Sequence, residues 1–424
     1  MQNAKDIIRK IDNGEYNETF KRMYKDENYA ALRYKKLIKN HCEFFKDDRI
    51  SVFSAPGRTE IIGNHTDHQN GCAIGASVNL DIIGAVSYSN DNYITIKSEG
   101  YNNVDRIDIT DLIIKEEEKN TSSALIRGCA SKLKSMGYDI KGFNMYTTSN
   151  VLKGSGLSSS AAFENIVVTV MNNLFCNKEV DSVTLAKIGK YAENEYFGKP
   201  SGMLDQTASS VGGFVYMDFE NKDNPYIEKI DCDFLKYGYS LCIVDTGGNH
   251  AALTDEYAAI FGELREVSEY FGKNVIREVS KKEFIENICD LRKKVSDRAV
   301  LRALHIFDEN ERVEKLKNSL KENDFIKFLG EVKKSGESSY KYLQNVYSSL
   351  NTKEQSVSLA LYFSENILGD NGVSRVHGGG FGGTIQAFVK NEYVETYKEK
   401  MEKIFGKDKC YNLFIRQDGG VKVI

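Results

Sequence analysis

The segment Leu152-Lys153-Gly154-Ser155-Gly156-Leu157-Ser158-Ser159-Ser160-Ala161-Ala162 sets glycines, then hydroxyls, then helix formers in sequence. That is the order in which a strand–loop–helix turn can hold phosphate. Glycines let the backbone approach an anion without Cβ clashes, and the free N–H groups and positive dipole end of the following helix face it. The loop is no Walker A motif, which needs lysine followed by serine or threonine directly after its last glycine; Leu157 and Ser158 stand there instead. Taken alone, such a loop also reads as a solvated turn.

Three further segments carry chemistry-bearing residues. In Ala55-Pro56-Gly57-Arg58-Thr59-Glu60-Ile61-Ile62-Gly63-Asn64-His65-Thr66-Asp67-His68, polar groups cluster just after a strand. Neutral histidine and ionised aspartate suit sugar hydroxyls, and Arg58 can neutralise phosphate or a neighbouring carboxylate. An ion-paired structural turn would use the same residues. In Ala192 to Gln206 a helix is expected to end near Gly198, and Pro200 with Gly202 then forces an irregular turn that starts a new element at Asp205. That carboxylate can act as a base, position a hydroxyl or cap a helix. Val376-His377-Gly378-Gly379-Gly380-Phe381-Gly382-Gly383-Thr384 allows close backbone approach to a ligand or a second loop. Its His-Gly-Gly-Gly string also occurs in esterase oxyanion loops, but the Gly-x-Ser-x-Gly elbow those enzymes need is missing. Two of the three prolines, Pro56 and Pro200, lie inside these segments, which points to locally fixed backbone geometry.

The elements around them predict an α+β protein. The 424 residues suffice for two cores, and 57 basic against 61 acidic residues give no field to attract nucleic acid or an acidic membrane. No early stretch is apolar enough for a signal peptide or a span, and eight scattered cysteines without metal spacing read as reduced thiols of a cytoplasmic protein. Residues from about Ile7 to Phe45 read as helices packed on the body. Strands are expected at Ser51–Ala55, Tyr93–Ile96 and Phe143–Thr147, with an amphipathic helix through Leu125, Cys129, Leu133 and Met136 that ends at Gly137. Strands at Gly213–Met217 and Ser240–Val244 precede a long charged helical stretch from about Leu253 to Asn345. A domain boundary is placed near residue 215, giving domains 1–215 and 216–424.

Together the four segments resemble the galactokinase branch of the superfamily named for galactokinase, homoserine kinase, mevalonate kinase and phosphomevalonate kinase. Where that branch carries patterns like GRxNLIGEHTDY, GGGLSSSA, GIMDQ and GGGFGG, this chain has GRTEIIGNHTDH, GSGLSSSA, GMLDQ and GGGFGG. The resemblance implies an N-terminal α/β domain, a C-terminal ferredoxin-like domain and an active site in the cleft between them. It implies an ATP- and Mg²⁺-dependent sugar 1-kinase, most readily a galactokinase, with Asp205 and Arg58 as the catalytic pair. Its ATP loop would be Gly154, Ser155, Gly156, Leu157, Ser158, Ser159 and Ser160. Magnesium would sit on Ser160 and Glu193, with Glu195 the rival glutamate and Ser158 or Ser159 also able to cap the helix. Sugar would meet Asn64, His65, Asp67, Gly202 and Tyr257, the last also readable as an ordinary packed aromatic. A small-molecule sugar is then the partner, and the oligomeric state is left open, a monomer included.

The chain departs from the pattern at Asn64 in place of glutamate, Glu60 in place of asparagine and His68 in place of tyrosine. In the family that glutamate contacts the sugar 6-hydroxyl. Exchanging a charged acceptor for a neutral one costs on the order of 1 kcal/mol, and the loss of charge at position 64 would admit a 6-carboxylate. Galacturonate, arabinose and N-acetylgalactosamine are therefore alternative substrates, and a non-catalytic sugar and ATP sensor is the alternative of another class.

Overall fold

A computed structural model describes the chain apart from residues 152–155 and 249–253. After β1 (Gln2–Asn3) come three helices, α1 (Ala4–Asp12), α2 (Asn17–Tyr24) and α3 (Glu27–Phe45). Asn3 and Asp26 cap α1 and α3 by accepting from the Lys5 and Tyr29 amides, which satisfies otherwise free N–H groups. Their apolar stripes, through Ile7, Ile11, Phe20, Met23, Tyr34, Leu37 and Ile38, bury against one face of β2 (Arg49–Ile62) and β3 (Cys72–Tyr88) at Ile50, Val52, Ile83 and Ala85. The expected N-terminal helices are thus part of the core.

Under them lies a closed ionic cluster. Asp81 of β3 is fully buried and accepts from Arg33 of α3, from Ser54 of β2, from the Tyr24 hydroxyl at 2.5 Å and from Arg416 at 3.0 Å. Burial pushes its carboxyl up, but Arg33, Arg416 and the two hydroxyls outweigh that and hold it below the usual carboxylate range.

The first sheet continues with β4 (Tyr93–Ser98), β5 (Val104–Asp108), α4 (Ser122–Ser135) and β6 (Phe143–Ser149), then α5 (Ser159–Phe175), α6 (Ser182–Tyr191), a π-helical turn over Ala192–Phe197, α7 (Leu204–Val211), β7 (Phe214–Asp218) and β8 (Tyr226–Ile230). Among the described residues it has nine strands, in the order β1-β2-β3-β6-β4-β5, with β7 and β8 joined through β3; only β4 and β6 pair in parallel. The expected boundary near 215 falls inside β7, which pairs with β3, so the chain is still in the first sheet there.

The second sheet forms around β9 (Tyr239–Asp245). A helical excursion follows through α8 (Thr254–Tyr270), α9 (Lys281–Glu286), α10 (Ile288–Leu291), α11 (Asp297–Lys321), α12 (Phe325–Ser338) and α13 (Ser356–Leu368). Then come β10 (Gly372–Val376), β11 (Thr384–Lys390), α14 (Val394–Phe405) and β12 (Cys410–Leu413), and the antiparallel order among the described residues is β10-β11-β9-β12. Strand, helices, two strands, helix, strand in that order is the ferredoxin-like arrangement. The final strand, β13 (Val421–Lys422), returns to the first sheet and pairs with Phe53 and Ser54 of β2. Among the described residues no helix is long and apolar enough to cross a membrane. None of the cysteines is disulfide-bonded: Cys289 is exposed, Cys42 is half-buried and the others are buried.

Candidate active site

The site is built where β2 meets the start of α5 and α7. Pro56, which cannot donate to a ladder, sits at a register shift in the β2–β3 pairing, and regular pairing resumes at Arg58 opposite Ser77. That kink presses the strand against the phosphate-loop segment. The Arg58 amide donates to the Leu157 carbonyl at 3.1 Å, and a Cβ on Gly57 would lie 2.9 Å from the same oxygen, so only glycine fits. The Arg58 guanidinium donates to the Gly156 carbonyl and, from Nε, to Asp205 Oδ1 at 2.5 Å. Asp205 lies in the first turn of α7, whose N-cap position belongs to Met203, so Asp205 is free of the capping role.

Ser158 takes the N-cap position of α5 in a left-handed conformation (φ 53°), yet its hydroxyl does not cap the helix; it donates to the second oxygen of Asp205. α5 therefore starts without a side-chain cap and with donors available for an anion. Burial pushes the Asp205 carboxyl up, but Arg58, Ser158 and Lys199 overcome this and leave it below the usual carboxylate range. Within the expected ATP loop, Ser159 and Ser160 open α5, half-buried. Leu157 is a correction in part: its side chain is fully buried in the core, so only its backbone is available to a ligand. Gly154 and Ser155 lie outside the described residues.

Asp205 borders a cavity of about 200 Å³ shared with Asp67, Gly202, Glu193, Lys199 and Gln206. A Cβ on Gly202 would come within 2.4 Å of Asp67 Oδ2, which explains why the turn after Pro200 needs glycine. His65, also left-handed (φ 61°), donates from Nε2 to the Gly379 carbonyl at 2.9 Å; burial lowers its pKa to about 4, so the ring is neutral near pH 7. Tyr257 of α8 lies 6.1 Å from the His65 ring, donates to the Gly380 carbonyl at 3.2 Å and occupies the space a side chain at Gly379 would need. The late glycine loop thus packs against His65 and Tyr257, two of the residues expected to meet the sugar.

Asn64 is the correction among the expected sugar contacts. Its side chain is fully buried, its amide nitrogen donates to Glu60 Oε1 at 3.0 Å and to the Gly378 carbonyl at 2.7 Å, and its oxygen accepts from Asn345 at 2.7 Å and Ser339 at 3.2 Å. An amide has no further capacity for a sugar once these bonds are made.

Glu193 and Glu195 diverge in the π-helical turn. Glu193 points inward and accepts from Lys199 Nζ at 2.8 Å, Ser201 Oγ at 2.5 Å and Gln206 Nε2 at 2.7 Å, whereas Glu195 is exposed. Behind Glu193, and bridged to it by Gln206, lies Glu164, wholly buried with one oxygen unbonded. Burial and the Glu193 charge push its pKa well above the usual carboxylate range, which favours the protonated acid.

Sequence reasoning missed the residues that hold the 63–65 segment in place. Glu309 of α11, fully buried, accepts from the Gly63 amide at 3.1 Å, the Asn64 amide at 3.3 Å and Arg312 at 2.7 Å, and His305 Nε2 donates to the Asn64 carbonyl at 3.0 Å. Burial raises the Glu309 carboxyl, but Arg312, His305 and Arg375 bring it down to about 2. His305, Glu309 and Arg312 stand at four- and three-residue spacing and share one helix face, a signal hidden within what reads as a charged, solvated helix. A larger cavity of about 540 Å³, between α12, α13 and β10, contains none of the expected site residues.

Comparison with known proteins agrees with this geometry. Residues 39–88 match the family described as galactokinase galactose-binding signature, and residues 124–213 match GHMP kinases N terminal domain. A galactokinase of Glaesserella parasuis serovar 5 is 31% identical over 382 residues, covering 87% of this chain and 94% of its own. The crystal structure of Lactococcus lactis galactokinase complexed with galactose superposes with a TM-score of 0.78 at 24% identity, over 92% of this chain and 99% of that one. Methanococcus jannaschii mevalonate kinase shares the fold at a TM-score of 0.59 and 16% identity, over 86% and 98% of the two chains. With the signature spanning β2 and β3, which carry Arg58 and lead through Asp67 at the cavity, and with 31% identity over 87% of its length, the chain belongs to the galactokinase family.

Proposed function

We propose that this protein transfers the γ-phosphoryl group of ATP to the C1 hydroxyl of galactose. The observation that carries the reading is the Arg58–Asp205 pair, joined by Ser158, at the edge of a hexose-sized cavity and beside the uncapped start of α5. Because Arg58 keeps Asp205 ionised and weakly basic, Asp205 orients the hydroxyl and accepts its proton late, while Arg58 stabilises charge on the transferred group. Phosphoryl transfer is loose and largely dissociative, so positioning and charge neutralisation can supply most of the rate. A sensor without turnover would have no use for this pair. Release of ADP over a panel of aldoses tests the reading, with galactose expected to give the highest kcat/KM; absence of ADP release with every sugar would overturn it.

The donor set suits magnesium. Ser160 and Glu193 offer hard oxygen ligands, and Glu193 already faces a cation in the Lys199 ammonium. The metal would neutralise ATP phosphates there. We place the residue roles accordingly: Gly156 to Ser160 at ATP, Ser160 and Glu193 at the metal, and His65, Asp67, Gly202 and Tyr257 around the sugar. Glu193→Gln should raise the magnesium concentration needed for half-maximal rate, whereas exposed Glu195→Gln should leave it unchanged; titrating MgCl₂ at fixed ATP checks the ranking. We also place the domain division between Ile230 and Tyr239, where the chain leaves the first sheet for the second, and the protein in the cytoplasm, in keeping with its unpaired thiols.

A further inference from the structure

Asn64 and Glu60 stand in exchanged positions relative to the pattern the sequence resembles, and in the structure they are bonded to each other. Only one of the two has a polar atom to spare. Glu60 Oε1 accepts from Asn64 at 3.0 Å and from Arg375 Nη2 at 3.5 Å, while among the described residues Oε2 has no hydrogen-bond partner. Oε2 is also absent from the buried unbonded atoms, and the side chain is 12% exposed, so that oxygen reaches accessible space.

Its direction follows from the strand. Pairing from Arg58 to Glu60 is regular (Arg58 opposite Ser77, Thr59 opposite Ala76, Glu60 opposite Gly75), with shifts only outside this stretch. Side chains two apart on such a strand leave the same face, here about 7 Å apart along it. Glu60 therefore stands beside Arg58 on the face where Arg58 clasps Asp205, at a remove suited to the far end of a pyranose ring. Burial pushes its carboxyl above the usual range against the pull of Arg375 and then Arg58, with Asp67 adding to the rise. Asn64 and the fully buried Arg375, which also donates to the Ile61 carbonyl at 2.7 Å, hold the carboxylate from behind.

We propose that Glu60 determines sugar specificity, its Oε2 accepting a hydrogen bond from a substrate hydroxyl remote from C1, with Asn64 and Arg375 as positioning residues. This rests on the sugar-kinase reading above. It also reverses the expectation drawn from Asn64: the carboxylate has not left the site but has moved four residues along the chain, so a 6-carboxylate sugar meets like charge and is a poor substrate.

The test compares wild type with Glu60→Gln, nearly the same shape without the charge, by ADP release on galactose, 4-deoxygalactose, 6-deoxygalactose and galacturonate. Glu60→Gln should raise KM for galactose about tenfold with kcat within about twofold. It should leave KM unchanged for whichever deoxy sugar lacks the contacted hydroxyl, and improve galacturonate relative to galactose. Equal rises on galactose and both deoxy sugars would show a purely structural role, and no rise on any would show no contact; either overturns the proposal while leaving the kinase reading intact. Failure of the wild type to release ADP with any of the sugars overturns the kinase reading and the proposal with it. The exchanged variant Glu60→Asn/Asn64→Glu supplies an independent check. It should recover the galactose KM and melting temperature that Asn64→Glu alone, which sets two carboxylates face to face, forfeits; no recovery would overturn the pairing.

Discussion

Asp205→Asn should lower the rate of sugar phosphorylation by ~10²–10⁴-fold, the usual cost of removing a positioned acid–base group. The substitution keeps the size of the side chain and an oxygen to accept from Arg58, and the guanidinium retains the Gly156 carbonyl, so the pocket should stay folded. What goes is the charge that orients the hydroxyl and receives its proton. ATP binding, proposed above for the α5 end of the site, should change little by calorimetry. In the wild type the same carboxylate sits below its ordinary range, so activity should persist as pH falls through the normal carboxylate region and fail only as pH drops through the lowered value. Near-wild-type turnover by the asparagine variant would remove Asp205 from the mechanism.

Asp81→Asn should cost ~3–5 kcal/mol of stability without altering the residues that touch substrate. The reason is asymmetric: Asp81 neutralises two guanidinium groups, Arg416 fully buried and Arg33 nearly so, and removing its charge strands both. Asp81 has a lowered pKa in the fold, so its contribution is fully present above the unfolded-state value near 4 and disappears as pH falls through the lower native value. Acid should therefore loosen the N-terminal helices first. Urea unfolding of wild type and variant, with hydrogen exchange to locate the opening, measures both effects. Glu399→Gln, which breaks a fully exposed pair with Lys403, is the control and should leave the urea midpoint where it was. A wild-type midpoint for Asp81→Asn would show that the cluster contributes nothing net.

The sequence reveals most where local chemistry decides structure. The helix closed by left-handed Gly137 and the strands around Phe143, Phe214 and Ser240 follow from turn residues and periodicity, and form as expected. The proximity of Arg58 to Asp205 is not readable from spacing, since 147 residues separate them, and only the resemblance joins them. Long-range burial stayed hidden as well. Asn64 looks like a polar residue offered to a ligand because its bonding partners Ser339 and Asn345 lie more than 270 residues away. Glu309 and Arg312 look like a solvated helix face because charge patterning cannot tell a surface pair from one that clamps a loop. That β7, at the boundary expected near 215, pairs with β3 was not legible either, because its partners Cys72 to Ala76 lie about 140 residues back in the chain.

The return of β13 to β2 has a consequence for synthesis. The β13 partners of Phe53 and Ser54, and Ile424, which joins the cluster under α1 to α3, are translated only after the entire second sheet. From Ile230 to Val421 the ribosome needs about 10–40 s at 5–20 residues per second. During that interval the first domain emerges with part of β2 unpaired and its helical cover incompletely seated, a free strand edge beside apolar Val52 and Phe53. The nascent chain should accordingly engage holding chaperones until its last strand appears, and a ribosome stalled before residue 421 should display a first domain that proteases cut readily.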